Sequence, residues 1–563
     1  MKRPASRRLA FGTPLEAAPA WTDAERPSLP GSAPAIAHSV PLRVAYALVG
    51  VLLGLTGGLG NGLVSANLSN IQGNLGLTPT EGAWLPAAYL MVSVSSNLVL
   101  FKMRQQYGLR LFAEVGLLLY ALVTVLHLFA QSFEMAVLVR AISGIATAPL
   151  SAMATLYILQ AFPKAYLGQA LVVALGISQM ATPIAWLLSP ALLDLGEWRG
   201  LYLFETGLAL ISFAAVVALK LPRGQRVRVI EPLDFLTFAL LAPALALVGA
   251  VFAQVRTQWP PDHPWMAAAL ATALVLILVA IAIEHHRRVP LLQTRWLGGL
   301  SAIRFALAAL GLRFLLSEQT YTAIGLLRTL GMGADQLQPL YAVMLAGIIV
   351  GIALSALTFN QKTVVPQILL SVVLIIIGSL MDQDATSLTR PHDMYFSQFL
   401  LSVAGAMFMG PLLLVGIMPV LKQGPNYIVS FVVLFSVAQS FGGLAGPAIL
   451  GTVQQYRQHE YSALITAGVD PTQGVVQQRL QLQGQVFGRV ITDPMLRQAQ
   501  GIGQLAQAAT REANVRAYND VFLLNGLLAL IFLSWTLVHV VRLALAARNN
   551  PPADATTGTA GTT

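Results

Sequence analysis

The sequence has no cysteine and very little charge. Among 563 residues Cys is 0, and Asp, Glu, Lys and Arg together make up 10%. Without cysteine there are no disulfides, no thiolate metal sites and no cysteine nucleophile. With so few charges the chain is not an ordinary soluble domain, where about 25% of residues are charged. A GxxxxGK[ST] phosphate loop, an HExxH helix and clustered metal ligands are also missing. An ATP-driven pump, a metal site and a membrane-embedded enzyme or sensor therefore have no residues to stand on, and no cofactor is expected. No apolar h-region accompanies Lys2, Arg3, Arg7, Arg8 and Arg26, which stand among Pro, Ala and Ser. Residues 1–42 are expected to be a disordered cytoplasmic tail rather than a signal peptide, and 546–563 a second such tail.

What is present is apolar. Hydrophobic residues reach 56%, more than one globular core could hide. Blocks of about 20 apolar residues, the length that crosses a bilayer, recur at 44–66, 83–101, 111–130, 135–159, 168–190, 201–220, 233–254 and 265–284. They continue at 301–327, 339–359, 364–380, 396–421, 428–452 and 519–543. The expected fold is all-α, integral to the membrane, with about fourteen transmembrane helices.

The net charge of +10 lies scattered between these blocks, without interleaved aromatics, so no nucleic-acid partner is expected. The charges sort by side instead. With the N-terminus cytoplasmic, inner loops hold Lys102, Arg104, Arg110, Lys164, Lys220, Arg223, Arg226, Arg228, Arg287, Arg288, Arg295, Lys362 and Lys422. Outer loops mix Arg199, Arg256 and Arg390 with Asp194, Glu197, Asp262, Asp382, Asp384 and Asp393. This positive-inside pattern places both termini in the cytoplasm, here of a bacterial inner membrane. One outer segment, 453–518, is long, polar and rich in Gln, Ala and Arg. Its helical stretches VVQQRLQLQGQVFGRV and GQLAQAATREANVRAYNDVF suit either a spacer or a periplasmic platform for a partner.

An ionisable side chain within hydrocarbon costs about 2.5–3.5 kcal/mol on insertion scales, so each needs a reason. Arg140 in the fourth span suits a coupling site, or snorkelling and backbone bonding. The ninth span, IRFALAALGLRFLLSEQTYTAIGLL, carries Arg313, Ser317, Glu318, Gln319 and Tyr321. Arg313 and Glu318 are about 140° apart around a helix, so they are not a local ion pair, whereas Ser317 shares the face of Arg313. Each charge is expected to meet another helix or substrate, with Glu318 as main proton carrier and Arg313 as a substrate or coupling contact. Asn61, Asn67, Gln398 and Met409 are further cavity candidates for which packing is an equal reading. Glu114, Glu205, Asp234, Asp520 and His539 lie near span ends, where interfacial solvation accounts for them. His127 reads as a hydrogen-bonded helix residue.

Several motifs carry a family resemblance. The fourth span reads LVRAISGIATAPL, with Arg140, Gly144 and Pro149; the thirteenth reads GGLAGPAILG, with Gly442, Gly446, Pro447 and Gly451. Trp198–Arg199 opens the sixth span, Pro183 stands in the fifth, and the loop FKMRQQYGLR keeps Lys102, Arg104, Gly108 and Arg110. Over about 43–545 the chain resembles the fourteen-span drug:proton antiporters of the major facilitator superfamily, the EmrB/QacA type. It departs from them in having Gly60 and Asn61 where the first span usually carries an Asp, and in lacking the acid of the loop motif.

The resemblance implies a six-helix bundle over 43–222, a linker with two extra spans over 223–295, and a second bundle over 296–545 containing the periplasmic loop 453–518. It implies a cavity at the bundle interface lined by spans one, four, nine and twelve. The GxxxGP-like run implies tight packing that closes a leak, with generic helix packing as the alternative. The function implied is secondary active transport: proton-coupled efflux of small amphipathic compounds, neutral or weakly acidic given Arg140 and Arg313. A membrane-fusion adaptor docked on 453–518, leading to an outer-membrane channel, is a further implied partner. The alternative is a proton-coupled solute importer of the same fold.

Overall fold

The computed structural model describes residues 15, 21–22, 25, 33–34 and 36–549, apart from 259–261, 288–289 and 471. Most of the two expected tails, and Arg288, lie outside the described residues.

Fourteen helical segments among them are long and apolar enough to cross a membrane. We number them α1 (Val40–Ala66), α2 (Pro79–Tyr107), α3 (Leu109–His127), α4 (Phe133–Ala161), α5 (Lys164–Asp194), α6 (Trp198–Ala218) and α7 (Pro232–Gln254). The rest are α8 (Trp265–His286), α9 (Leu300–Thr329), α10 (Ala334–Leu357), α11 (Val364–Met381), α12 (Pro391–Gln423), α13 (Tyr427–Ala467) and α14 (Pro494–Arg542). Their starts follow local chemistry: Thr78 and Glu81 form a capping box ahead of α2, and Pro79 occupies a first-turn position that needs no backbone N–H. Gly108, at φ +89°, turns the chain between α2 and α3 in a conformation that a side chain would strain. The chain before α1 is anchored too: Gln160 donates to the Pro34 carbonyl at 2.9 Å, and His38 meets Gln160 at 2.9 Å.

Glycines set the closest approaches in the first bundle. Side chains added at Gly54 and Gly62 of α1 would meet Ile177 and Ala185 of α5, in the same order along both helices, so these two run parallel. On α6 the order is reversed, since Gly60 faces Glu205 and Thr56 hydrogen-bonds Ser212 at 2.8 Å. The helical run Leu167–Ala218 therefore folds back on itself between α5 and α6. The second bundle, α9–α14, is joined through α10 with α12, α11 with α12 and α14, and α9 with α13.

The extra hairpin α7–α8 lies against α2, and α7 also touches α13, at the seam between the bundles. The bundles meet along α5 and α10. At the lysine-bearing end a side chain on Gly168 would strike Phe359, and at the opposite end the Trp186 and Tyr341 rings lie 4.7 Å apart. Across α2 and α13, Asn97 donates to Ser436 at 3.1 Å.

The segment 453–518 differs from a loop between two short spans. The helix that contains α13 runs from Pro425 to Ala467, and the one that contains α14 from Pro494 to Asn549. At 1.5 Å per residue both extend well past a hydrocarbon core of about 30 Å. Gln454 to Asn514 at 2.8 Å, with Arg457 and Tyr461 on Asp520 at 2.5 and 3.0 Å, brace the extensions against each other. A short helix, Gly474–Gln485, folds back on α14, where Gly501 approaches the Leu480 carbonyl. Asp520 thus joins an ion pair at the base of this projecting stem, with its side chain 29% exposed.

Candidate functional site

The ninth span is not a uniform helix. Its regular turns end near Leu315, and Glu318–Ala323 form a π-helical turn, the kind of bulge that re-aims side chains and is frequent at functional sites. It points Glu318, fully buried, into its own bundle rather than toward the other half. Ser379 of α11 donates to its Oε2 at 2.7 Å, and Gln398 of α12 approaches Oε1 at 3.4 Å. Gln398 also donates to Asp382 at 2.8 Å, so one amide bridges two carboxylates. Asn525 of α14 donates to Ser379 at 3.0 Å and closes the cluster. Asp382, assigned above to an outer loop, is only 5% exposed and takes a further bond from Ser397 at 2.9 Å.

Arg313 leaves the same span on another side. Its guanidinium reaches across the bundle interface to Gln179 of α5 at 3.4 Å. It can extend there because α13 has no side chains in the way: a Cβ on Gly442 would lie 2.8 Å from that of Arg313, and one on Gly446 would overlap Ser317. A Cβ on Gly451 would come within 2.9 Å of the Tyr321 hydroxyl. The GxxxGP-like run thus seats the polar face of α9. Arg313 and Glu318 are brought to different surroundings, as their separation around the helix requires.

In the first half Arg140 is 1% exposed. It donates to the carbonyls of Gly60 at 3.1 Å and Leu85 at 3.4 Å, and to Asn61 Oδ1 at 2.7 Å, with the Tyr89 ring 4.7 Å from its guanidinium carbon. Gly144, one turn along α4, brings α4 against the α2 backbone at Tyr89 and Ser93, and Pro149 packs on Gly116 of α3. Glu205 corrects the interfacial reading: it is 2% exposed, and Tyr120 of α3 donates to its Oε1 at 2.7 Å. Nearby, His127 bonds the Val123 carbonyl at 3.0 Å and stacks on Tyr202.

The loop motif makes contacts that the sequence did not suggest. Lys102 pairs with Asp234 of α7 at 2.8 Å, both nearly fully buried, so Asp234 is no solvated span end either. Arg287, after α8, gathers three carboxylates: Asp234 at 2.9 Å, Glu231 at 3.1 Å and Glu284 at 2.6 Å. Glu284 also accepts from Thr237 and from the backbone N–H of Leu291 at 2.5 Å. Arg104 lies over Phe101, and Arg110 donates to the Leu221 carbonyl at 2.8 Å. The acid missing from the loop motif is thus supplied by the extra hairpin.

The other candidates are dispersed. Asn67 is held by Ser189 and the Leu63 carbonyl, and Met409 sits in the apolar core of the second bundle, so both pack inside a bundle. Gln319 donates to Ser402 and to the Gln398 carbonyl, behind the Glu318 cluster. Tyr321 donates to Gln454 at 3.4 Å beside Arg256. Pro183 lies within the helical run of α5 and Pro447 within α13. Glu205, Asp234, Glu284 and Asp382 are the residues sequence reasoning missed. All lie near span ends by count, which says nothing of the face they occupy.

Comparison with known proteins agrees with this architecture. The chain is 26% identical over 269 residues to the uncharacterized transporter YebQ of Escherichia coli K12, covering 46% of this chain and 56% of that protein. It is 23% identical over 173 residues to multidrug resistance protein 3 of Bacillus subtilis 168, covering 31% of this chain and 34% of that one. The chain thus spans about half or less of the length of these curated relatives. Among solved structures, the proton:xylose symporter XylE bound to 6-bromo-6-deoxy-D-glucose superposes with a TM-score of 0.51 at 14% identity, covering 88% of this chain and 97% of that one. The human organic anion transporter MFSD10 gives 0.51 at 14%, covering 88% and 100%. These two share the fold. The sequence profile of the Major Facilitator Superfamily matches residues 50–447, and the chain therefore belongs to that superfamily of multi-pass membrane transporters.

Proposed function

We propose that the protein is a proton-coupled exporter of small amphipathic compounds, with Glu318 as the carboxylate whose charge follows the transport cycle. The observation that carries this reading is the fully buried Glu318 side chain on a π-helical turn, held by Ser379 and Gln398, with Asp382 one amide away. A carboxylate in such a place is costly when ionised and cheap when neutral. Opening and closing the bundle around it is therefore coupled to its proton. Among the described residues, Gln398 and Asn525 each keep a buried carbonyl oxygen without a partner, so the cluster has acceptors to spare for a carboxyl O–H.

Asp382, at the end of α11, is the route between Glu318 and the outer water. Arg313, reaching toward Gln179, is the charge that compounds crossing between the bundles meet, and it favours neutral or weakly acidic ones. Arg140 holds α1, α2 and α4 together behind that path. The projecting stem of α13 and α14 presents Val475, Val486, Val490 and Met495, each at least three-quarters exposed. We read this apolar tip as the seat of a periplasmic adaptor, with the stem on the outer side of an inner membrane and both termini in the cytoplasm. Similarity to a protein named for multidrug resistance supports export.

The test is accumulation of a panel of cationic, neutral and weakly acidic amphiphiles in cells lacking their own exporters. Wild type and Glu318→Gln are compared at equal membrane levels. Lower accumulation with wild type alone supports export; higher accumulation with wild type means import and overturns it.

A further inference from the structure

We infer that Glu205 forms a second proton-binding site, the first-half counterpart of the Glu318 site; this extends the export reading and shares its premise that buried carboxyls carry the coupling protons. With the extra hairpin set aside, α9–α14 repeat α1–α6 in order. The Glu318 cluster is built by α9, α11, α12 and α14, through Glu318, Ser379, Gln398 and Asn525. The cluster around Glu205 is built by the corresponding α1, α3, α4 and α6, through Gly60, Tyr120, Arg140 and Glu205. In each, one carboxylate accepts a hydroxyl bond near 2.7 Å from the third helix of its half. The acid and its neutral counterpart have exchanged helices. Glu318 stands on the helix equivalent to that of Gly60, and Glu205 on the helix equivalent to that of Asn525.

Gly60 makes the exchange possible. A Cβ there would lie 2.5 Å from Glu205 Oε1 and 2.6 Å from the Tyr120 hydroxyl. The Glu205 carboxyl thus fills the volume that a side chain on α1 would take, which accounts for a first span without an acid. The groups facing it are few. Tyr120 comes from α3, and Arg140 from α4 lies within electrostatic reach with Tyr89 of α2 and Tyr202 of α6 close by. His127 is held by its own bonds, and α1 contributes no titratable group, only Gly60, Asn61 and the Thr56 carbonyl, which lies 3.2 Å from the Tyr120 hydroxyl. Arg140 donates to Gly60, Asn61 and Leu85, and among the described residues Glu205 enters no ion pair. Among the described residues its Oε2 is buried without a hydrogen-bond partner. A carboxyl so placed is not a structural salt bridge; it is a group that binds and releases a proton as the first bundle opens.

The experiment is a pH titration of the purified protein in lipid, without transported compound, followed by the infrared carbonyl bands of protonated carboxyls. Wild type is compared with Glu205→Gln, Tyr120→Phe and Glu318→Gln. The expected result is loss of one titrating band in Glu205→Gln, loss of a different one in Glu318→Gln, and a shift of the Glu205 band without loss in Tyr120→Phe. If Glu205→Gln fails to fold, the Tyr120→Phe shift decides. Wild-type spectra in Tyr120→Phe, or in folded Glu205→Gln, overturn the inference. Because no compound is added, export can fail its own test while Glu205 still titrates, and the reverse.

Discussion

Gly144→Ala is a small change for which the structure specifies a large consequence. A Cβ at this position would lie 3.0 Å from the Ser93 backbone nitrogen and closer still to the Tyr89 carbonyl oxygen. Both obstacles are backbone of α2, so no side chain can swing aside. Ordinary contact begins near 3.4 Å, so α2 and α4 must part by about one ångström to clear the Tyr89 carbonyl, and overpacking of this kind costs about 1–3 kcal/mol. Parting them also loosens the bonds of Arg140 to Leu85 and of its guanidinium to the Tyr89 face. Gly207 of α6 is the control, since a Cβ there meets nothing within 4 Å. There the same substitution should stabilise by about 0.5–1 kcal/mol through helix propensity. The assay is thermal unfolding of the detergent-solubilised protein, with the two single variants beside wild type. Opposite signs are expected: Gly144→Ala melts lower and Gly207→Ala higher. A Gly144→Ala protein as stable as wild type would refute the packing argument.

Two other substitutions probe parts of the molecule that the sequence read differently. Arg287→Met removes the cation shared by Asp234, Glu284 and Glu231 and should cost about 3–5 kcal/mol, as loss of one partner from a buried ionic group does; the share of Glu231, at 37% exposure, is screened by solvent. Thermal melting should fall accordingly, and the chain after α8 should become protease-sensitive; an unchanged melt would contradict the network. Replacing 468–493 by a short turn leaves the braces Gln454–Asn514 and Arg457–Asp520 in place. Insertion and melting should then match wild type while export in whole cells is lost; full export without the tip would exclude an adaptor there.

The membrane architecture was legible because hydrocarbon imposes a length and a composition on every span. All fourteen expected blocks coincide with helices, though α13 and α14 run on as a polar stem. The helical character of this segment was readable, since Gln and Ala favour helix, but polar helix beyond the membrane carries no hydropathy signal, so its continuity with the two spans was not. Arg140 and Glu318 could be singled out because each lies deep in an apolar run. Glu205, Asp234 and Asp382 could not, since position along a helix gives depth but not facing. That Gly60 or Asn61 stands where the resembled family has an acid was readable, but the volume left at Gly60 was not. What fills it comes from α6, far away in sequence, and only packing reveals that.

The most direct test of proton-coupled export uses purified protein in unenergised liposomes with a trapped pH dye and an amphiphile added outside. Exchange of compound for protons predicts that the lumen turns alkaline as compound enters, whichever way the protein is inserted, and that Glu318→Gln abolishes the change. Acidification of the lumen would mean that compound and proton move together, and a full wild-type response in Glu318→Gln would place the coupling elsewhere.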